Sequence, residues 1–447
     1  MSHNTSGETQ ALALPTLLRG MIEAVREEAG RTGRLPDHLI AELRDAGAFS
    51  LFTPAEYGGL EVSLTTALTV YERFGRIDPA TAWIVWNANF GFTAAMLGEE
   101  GAAKIWTGGR EPVLANGGQP GTAVPVDGGY RLSGRWPIVS GIEAAEWFVP
   151  LGVVMDGEQP AMTDCGPEAR LFHVHRDQLE IERTWDVSGM RATGSHGVVV
   201  TGAFVPAELT ARIDLPLRLD RPTYRRNPIL LVFAGCTAVA LGTVEQAIDE
   251  LVALAPGKAT AFGGPLAAQP RVPELLARHE TAVRAARLFL FDVARRIDEA
   301  AERNAPITLE LHADLHSAMA HAAAVGREAL VAVYQLAGSA SLYLGSPIER
   351  LHRDGMAALQ HVNQAPEFFG GSDACGWAWS PVCRCSDGAG GSRVRGAAGR
   401  AVPVRLHRRI AKSGERFWIE DTTVWTLLGP DGTRHGEAAV IRAVTPA

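Results

Sequence analysis

Residues of types that could do chemistry fall in a few places along this sequence. Ser140 ends the alternating stretch GRWPIVSG at 134–141. Serine before glycine at a strand end is ordinarily a turn residue. Ile138 and Val139 precede it, so the Gly-x-Ser-x-Gly setting of a hydrolase nucleophile is absent. The run GMRATGSHG at 189–197 approaches a phosphate loop, with Gly189, Gly194 and Ser195 in register. It lacks the lysine and leads into a strand rather than a helix. Its backbone N–H groups, with Arg191, could hold one phosphate; a plain turn is the favoured reading. His312, Asp314, His316 and His321 crowd one segment, and His312 and His316 stand one helical turn apart, a spacing zinc can use. No glutamate follows His312 as in His-Glu-x-x-His, so a solvated or partly buried helix flank is the favoured reading. His173 and His175 offer two ligands at most, and Cys375, Cys383 and Cys385 lack the paired short spacings of structural zinc, so no metal is expected. His361, in MAALQHVNQ, taken by itself reads as a satisfied core or surface histidine rather than a catalyst.

The elements that must position these groups come in blocks. Residues 14–113 show apolar positions three or four apart, the helical period. From about 114 the period becomes two: VPVDGGYRLSGRWPIV reads as a hairpin turning at Asp127-Gly128, with Tyr130, Leu132, Trp136 and Ile138 on one face. Further short strands continue to about 224. Three long helical segments follow, suggesting an antiparallel bundle. The predicted organisation is an α+β multidomain chain: a helical domain over 1–113, a β-barrel or sandwich over 114–224, a helical bundle over 225–366, a disordered linker over 367–403 and a β-hairpin tail over 404–447.

Bulk composition narrows the class. The chain has 447 residues, 46% hydrophobic and 21% charged, with a net charge of −8, which removes a broad electrostatic case for nucleic acid or anionic membrane as partner. The apolar run 229–242 is short for a membrane span and reads as a buried helix. The polar N-terminus and five cysteines point to a cytoplasmic protein without a disulfide framework. No strand–GxGxxG–helix unit is present, so no nicotinamide domain is expected.

In this block order, four pieces resemble the acyl-CoA dehydrogenase fold: LPDHLIAELRDAGAFSLFTPAEYGG, GGYRLSGRWPIVSGIEAAEWFVPLG, TWDVSGMRATGSHGVVVTGAFVP and SPIERLHRDGMAALQHVNQ. They are most similar to its two-component flavin-dependent monooxygenases, over roughly residues 15–365. Dehydrogenases of this fold use a bundle glutamate as base, and GMAALQHVN after Arg353-Asp354 offers no acid there. The monooxygenase branch pairs a serine at the end of the Trp136 strand with a histidine after the Arg-Asp motif, here Ser140 and His361.

The resemblance implies a hydroxylase acting on a small aromatic, polyketide or amine substrate. It would use O2 and reduced FMN or FAD from a separate NAD(P)H:flavin reductase, through a flavin C(4a)-hydroperoxide kept dry by the protein. It implies catalytic roles for Ser140, bonded to the flavin N5 side, and for His361 as base. Flavin contacts are implied for Asn116, Gly117, Trp136, Ser140, Arg191, Thr193 and Ser195. Phosphate-side contacts are implied for Lys258, Phe262, Ser339 and Ala340, and substrate contacts for Trp86, Asn87 and Asn89. Lys258 stands where relatives often place arginine, which leaves FMN against FAD open. A homotetramer is implied too. The end of the chain resembles the last strands of a PAS-like MEKHLA domain. Two alternatives stay open: an acyl-CoA dehydrogenase-type oxidoreductase, and a catalytically impaired flavin-binding or interaction protein.

Overall fold

The computed structural model describes residues 4–106, 110–164, 166–215, 217–225, 228–261 and 263–366, and four strands between 402 and 446. Phe262 and most of the 367–403 linker lie outside the described residues. The chain separates into two compact units, Met1–Asp387 and Gly388–Ala447.

The first unit opens with α1 (Thr5–Thr32), α2 (Asp37–Asp45), α3 (Leu64–Ile77), α4 (Pro79–Ala88) and α5 (Glu99–Ile105). Short polar side chains start α1, α3 and α4. Asn4 accepts from Gly7 N, Ser63 from Thr66 N and Asp78 from Thr81 N, each satisfying an amide the helix cannot. α3 is pinned further by Asp298, whose carboxylate accepts from Leu64 N and Thr65 N at 2.9 Å each. Every residue of α4, PATAWIVWNA, is buried. A helix apolar all round belongs in the interior, and α4 carries two tryptophans and Asn87 there.

The middle of the chain forms a nine-stranded mixed sheet. β1 (Leu114–Val126) and β2 (Gly129–Val139) make the expected hairpin, with Val126 opposite Gly129 and Gly128 at φ 78°. β3 (Trp147–Asp156) runs parallel to β1. The far edge of β2 pairs with the strand His196–Pro206.

Five helices complete the unit: α6 (Pro228–Phe233), α7 (Gly235–Leu254), α8 (Arg271–Glu302), α9 (Leu309–Ala337) and α10 (Pro347–Ala358). α7 packs on α3, α9 and α10. The segment Leu230–Leu254 is long and apolar enough to cross a membrane by length and composition, and 78% of its most apolar window is buried inside the fold. The second unit is a four-stranded antiparallel sheet: the long hairpin Arg416–Leu428 with Arg434–Pro446, flanked by Val402–Val404 and His407–Ile410.

Candidate active site

Ser140 owes its position to an irregularity in β2. Pairing with the neighbouring strand runs Trp136 to Val198 and then Val139 to His196, so β2 spends one residue more than its partner. That is a β-bulge at Pro137-Ile138, where proline has no N–H to give the ladder. The bulge reverses the alternation. Tyr130, Leu132 and Trp136 face inward as expected, but Ile138 is 62% exposed while Val139 is fully buried. The single face proposed for all four side chains therefore ends at Trp136, and Ser140 turns into the protein, 6% exposed.

Around Ser140 lies a buried chain of polar groups. Trp83 Nε1, from α4, donates to Ser140 Oγ at 3.1 Å. Ser140 Oγ lies 2.8 Å from Ser195 Oγ, and Ser195 Oγ lies 2.7 Å from Thr193 Oγ1. Thr193 Oγ1 donates to the Met190 carbonyl at 2.8 Å. Thr193 and Ser195 belong to the GMRATGSHG run, which thus works as a hydroxyl-bearing turn.

His361 reaches the same place from the end of α10. Its ring packs edge-on against Trp83 and Trp86, with centroids 5.5 and 5.2 Å apart. Part of the residue reaches solvent, but the ring is enclosed, and burial lowers its pKa to about 4. Its Nδ1 accepts from Asn363 N at 3.3 Å. An amide N–H can only donate, so the neutral ring carries its proton on Nε2. Trp86 is held by its indole N–H on the Val232 carbonyl at 2.7 Å. Gly235 makes room for it, since a Cβ there would lie 2.1 Å from Trp86 Cδ1.

The remaining expected site residues divide. Asn116 Nδ2 donates to the Asn87 carbonyl at 2.9 Å, joining β1 to α4, and Asn87 Oδ1 is buried with no partner among the described residues. Gly117 packs under Trp136, whose indole N–H donates to Gln119 O at 2.6 Å and holds the segment that departs from β3 between Gly117 and Gly121. Asn89 has a different task from the substrate contact expected of it. Both its amide hydrogens go to the Ala48 and Val85 carbonyls, and its Oδ1 accepts from Leu51 N. Arg191 likewise donates to the Gly30 and Val187 carbonyls, so it braces α1. Ala340 lines an open groove of about 470 Å³ with Glu250, Leu254 and Tyr343. Ser339 is exposed beside it, and Lys258 follows the end of α7 that lines it.

Sequence reasoning missed Trp83, which touches both Ser140 and His361. The signal was present: Trp83 and Trp86 are three apart on one helix, a spacing that puts both indoles on one face. It also missed Asp354 as an anchor. Asp354 Oδ1 accepts from Met190 N at 2.7 Å, and Met190 sits at φ 56°, a left-handed conformation that needs such support. Arg353 Nη1 donates to Ser188 O at 2.5 Å. Gly189 permits this close approach, since a Cβ there would lie 2.2 Å from Arg353 O.

Burial above all, with the Asp78 charge, raises the Asp354 pKa to about 6 against the pull of the Met190 N–H hydrogen bond, Arg350 and Arg353. A free aspartate titrates near 3.9. Between those values the folded chain holds a proton that the unfolded chain has lost, so this group's stabilising contribution is full below pH ~4 and is lost as pH rises through about 6. Asp354→Asn keeps the acceptor for Met190 N and removes the charge. Thermal unfolding from pH 4.5 to 7 is expected to show the variant gaining on the parent, by on the order of 2 kcal/mol at the upper end.

Known proteins resemble this chain. Residues 13–106 match the acyl-CoA dehydrogenase N-terminal domain, 234–366 the acyl-CoA dehydrogenase C-terminal domain, and 406–446 the MEKHLA domain. The chain is similar to indole-3-acetate monooxygenase of Pseudomonas putida, 30% identical over 379 residues that cover 80% of this chain and 95% of that protein. It is 25% identical over 376 residues to the flavin-dependent monooxygenase oxygenase subunit HsaA of Rhodococcus jostii (strain RHA1), covering 78% and 94%. The structure of XiaF from Streptomyces sp. in complex with FADH2 and glycerol aligns with a TM-score of 0.75 at 25% identity, over 82% of this chain and 95% of that one. By these domain matches and relatives, the chain belongs to the acyl-CoA dehydrogenase family, as one of its flavin-dependent monooxygenases.

Proposed function

We propose that this chain is the oxygenase of a two-component system that hydroxylates a small aromatic substrate, using O2 and FMN or FAD reduced by a separate NAD(P)H:flavin reductase. One observation carries the reading: Ser140 and His361, far apart in sequence, meet on one indole, Trp83, the first through its N–H and the second on its ring. The Rhodococcus relative is an oxygenase subunit, which supports the separate reductase.

The residues present fit a reduced flavin. Ser140 Oγ and Asn87 Oδ1 are buried oxygens with capacity left to accept a hydrogen bond, and Asn87 Oδ1 has no partner among the described residues. Reduced isoalloxazine bears N–H donors, which is what such oxygens need. When bound, reduced flavin supplies the electrons that split O2, one oxygen atom going to the substrate and the other leaving as water. Ser140 then holds an N–H of the ring. Trp83, Trp86 and Trp136 keep water out. His361 presents its Nε2–H to the substrate side, where it orients an oxygen rather than taking a proton. The aromatic faces of Trp83 and Trp86 favour a flat substrate over an aliphatic amine.

Asn116 and Gly117 would border the ring. Lys258, Ser339 and Ala340 would hold the phosphate side at the open groove, and exposed Leu342, Tyr343 and Leu344 beside it support a homotetramer in which another copy closes that seat. A cytoplasmic location goes with this reading. The acyl-CoA dehydrogenase alternative needs a free carboxylate in the pocket, and Asp354, the first acid met going back along the chain from His361, is committed to Met190 N.

The test supplies the full chain with chemically reduced FMN or FAD, labelled O2, and indole-3-acetate or simple phenols as probes. One labelled oxygen atom in an organic product is the expected result. No label in any product, together with anaerobic reduction of bound flavin by an acyl-CoA, would move the chain to the dehydrogenases.

A further inference from the structure

The hydroxyl protons around Ser140 have no freedom of direction. Thr193 Oγ1 stands 2.8 Å from the Met190 carbonyl, which can only accept, so the single Thr193 proton lies there. Thr193 must then accept from Ser195 across 2.7 Å, because two oxygens that close with no proton between them repel. That uses the only proton of Ser195, so Ser195 accepts from Ser140 across 2.8 Å. Trp83 Nε1 can only donate, and it donates to Ser140. Every proton runs one way, from Trp83 through Ser140, Ser195 and Thr193 to the Met190 carbonyl. That carbonyl is itself fixed by the Trp185 indole N–H at 3.1 Å, and the Met190 amide by Asp354.

The consequence falls on Ser140. Its proton is committed inward and one lone pair is taken by Trp83, so its one remaining capacity is to accept. All four side chains are buried, with Thr193 1% and Ser195 2% exposed, so water cannot reorient the chain cheaply.

We infer that Thr193 and Ser195 are positioning residues that fix Ser140 as a pure hydrogen-bond acceptor, so that the site selects the flavin whose N5 bears a proton over the flavin whose N5 bears a lone pair. This rests on the placement of flavin beside Ser140 proposed above. Reduced flavin carries the N5–H and oxidised flavin does not. The relay thus favours arrival of the reduced cofactor and release of the oxidised one, which a two-component oxygenase needs because it exchanges flavin with a separate reductase.

Thr193→Val removes the acceptor at the end of the relay with little change in shape. Ser195 can then turn its proton onto Ser140, filling the last lone pair and pushing the Ser140 proton outward. Ser195→Ala breaks the relay in its middle and leaves the Ser140 proton without its acceptor. The experiment measures, under anaerobic conditions, the Kd of the full-length protein for reduced and for oxidised FMN, and repeats both with FAD. The parent is expected to bind the reduced form more tightly. Thr193→Val and Ser195→Ala are each expected to shrink that preference about fivefold, the weight of one ordinary hydrogen bond. Thr193→Ser, which keeps donor and acceptor, is expected to restore it, which a loss of packing alone would not give. An unchanged preference in Thr193→Val and Ser195→Ala, beside a reduced one in Ser140→Ala, overturns the relay and leaves the site standing. An unchanged preference in Ser140→Ala as well overturns the placement of flavin itself.

Discussion

Ser140→Ala is expected to turn a coupled oxygenase into a leaky one. With reduced flavin, O2 and substrate, the variant should release hydrogen peroxide where the parent forms product, with the fraction of turnovers lost rising several-fold toward tenfold. The hydroxyl is 6% exposed, and with its proton committed to Ser195 and one lone pair taken by Trp83 it keeps one acceptor site to spare. Removing it takes away a hydrogen bond worth roughly 0.5–1.5 kcal/mol, and 1.4 kcal/mol is a factor of ten in a competing rate. Alanine also leaves the Trp83 N–H without its partner inside the protein, which costs about 1–3 kcal/mol of stability. The variant should remain folded and melt a few degrees lower. Coupling equal to the parent's would remove Ser140 from the chemistry.

His361 gives the second large effect, and it separates two roles that sequence alone leaves together. A histidine chosen as base would titrate near neutrality. Here enclosure between two indoles lowers its pKa to about 4, and the Asn363 amide places the remaining proton on Nε2. His361 is therefore neutral across the physiological range and offers a donor. His361→Gln keeps an N–H at a similar reach and should retain product formation within about tenfold, while His361→Ala should lose on the order of a hundredfold, the scale for deleting one well-placed donor. A base would make the two variants equally poor. The pH profile carries a second mark: no step near 6.5 should vanish in either variant. Stability has its own sign, since between about 4 and 6.5 the unfolded chain binds a proton on this ring that the folded chain refuses. The parent is thus destabilised as pH falls through that window, and both variants should lose this part of the slope.

Much of this architecture was legible before any coordinates. The Asp127-Gly128 hairpin, the change from helical to alternating period and the final hairpin all follow from local pattern, and local pattern is what sequence displays most directly. The pairing of Ser140 with His361 was legible only through resemblance, since no periodicity links a strand end to a helix end so distant in the chain. What stayed hidden depended on partners. Ile138 leaves the inner face because β2 carries one residue more than the strand beside it, and neither strand alone reveals that count. Asn89 and Arg191 carried polar groups suited to a ligand, but the backbone carbonyls of Ala48, Val85, Gly30 and Val187 had already claimed them. Trp83 was the opposite case. Its place beside Trp86 was visible, but its role was fixed by the Ser140 hydroxyl it meets in three dimensions.

The most direct test of the central claim is a crystal structure of this protein with reduced FMN or FAD bound. The isoalloxazine N5 should stand at hydrogen-bond distance from Ser140 Oγ, roughly 3 Å, with the His361 ring on the same side of the pocket and the phosphate toward Lys258. A flavin ring bound elsewhere, with Ser140 still enclosed by Trp83 and Ser195 and touching no ligand, would contradict it.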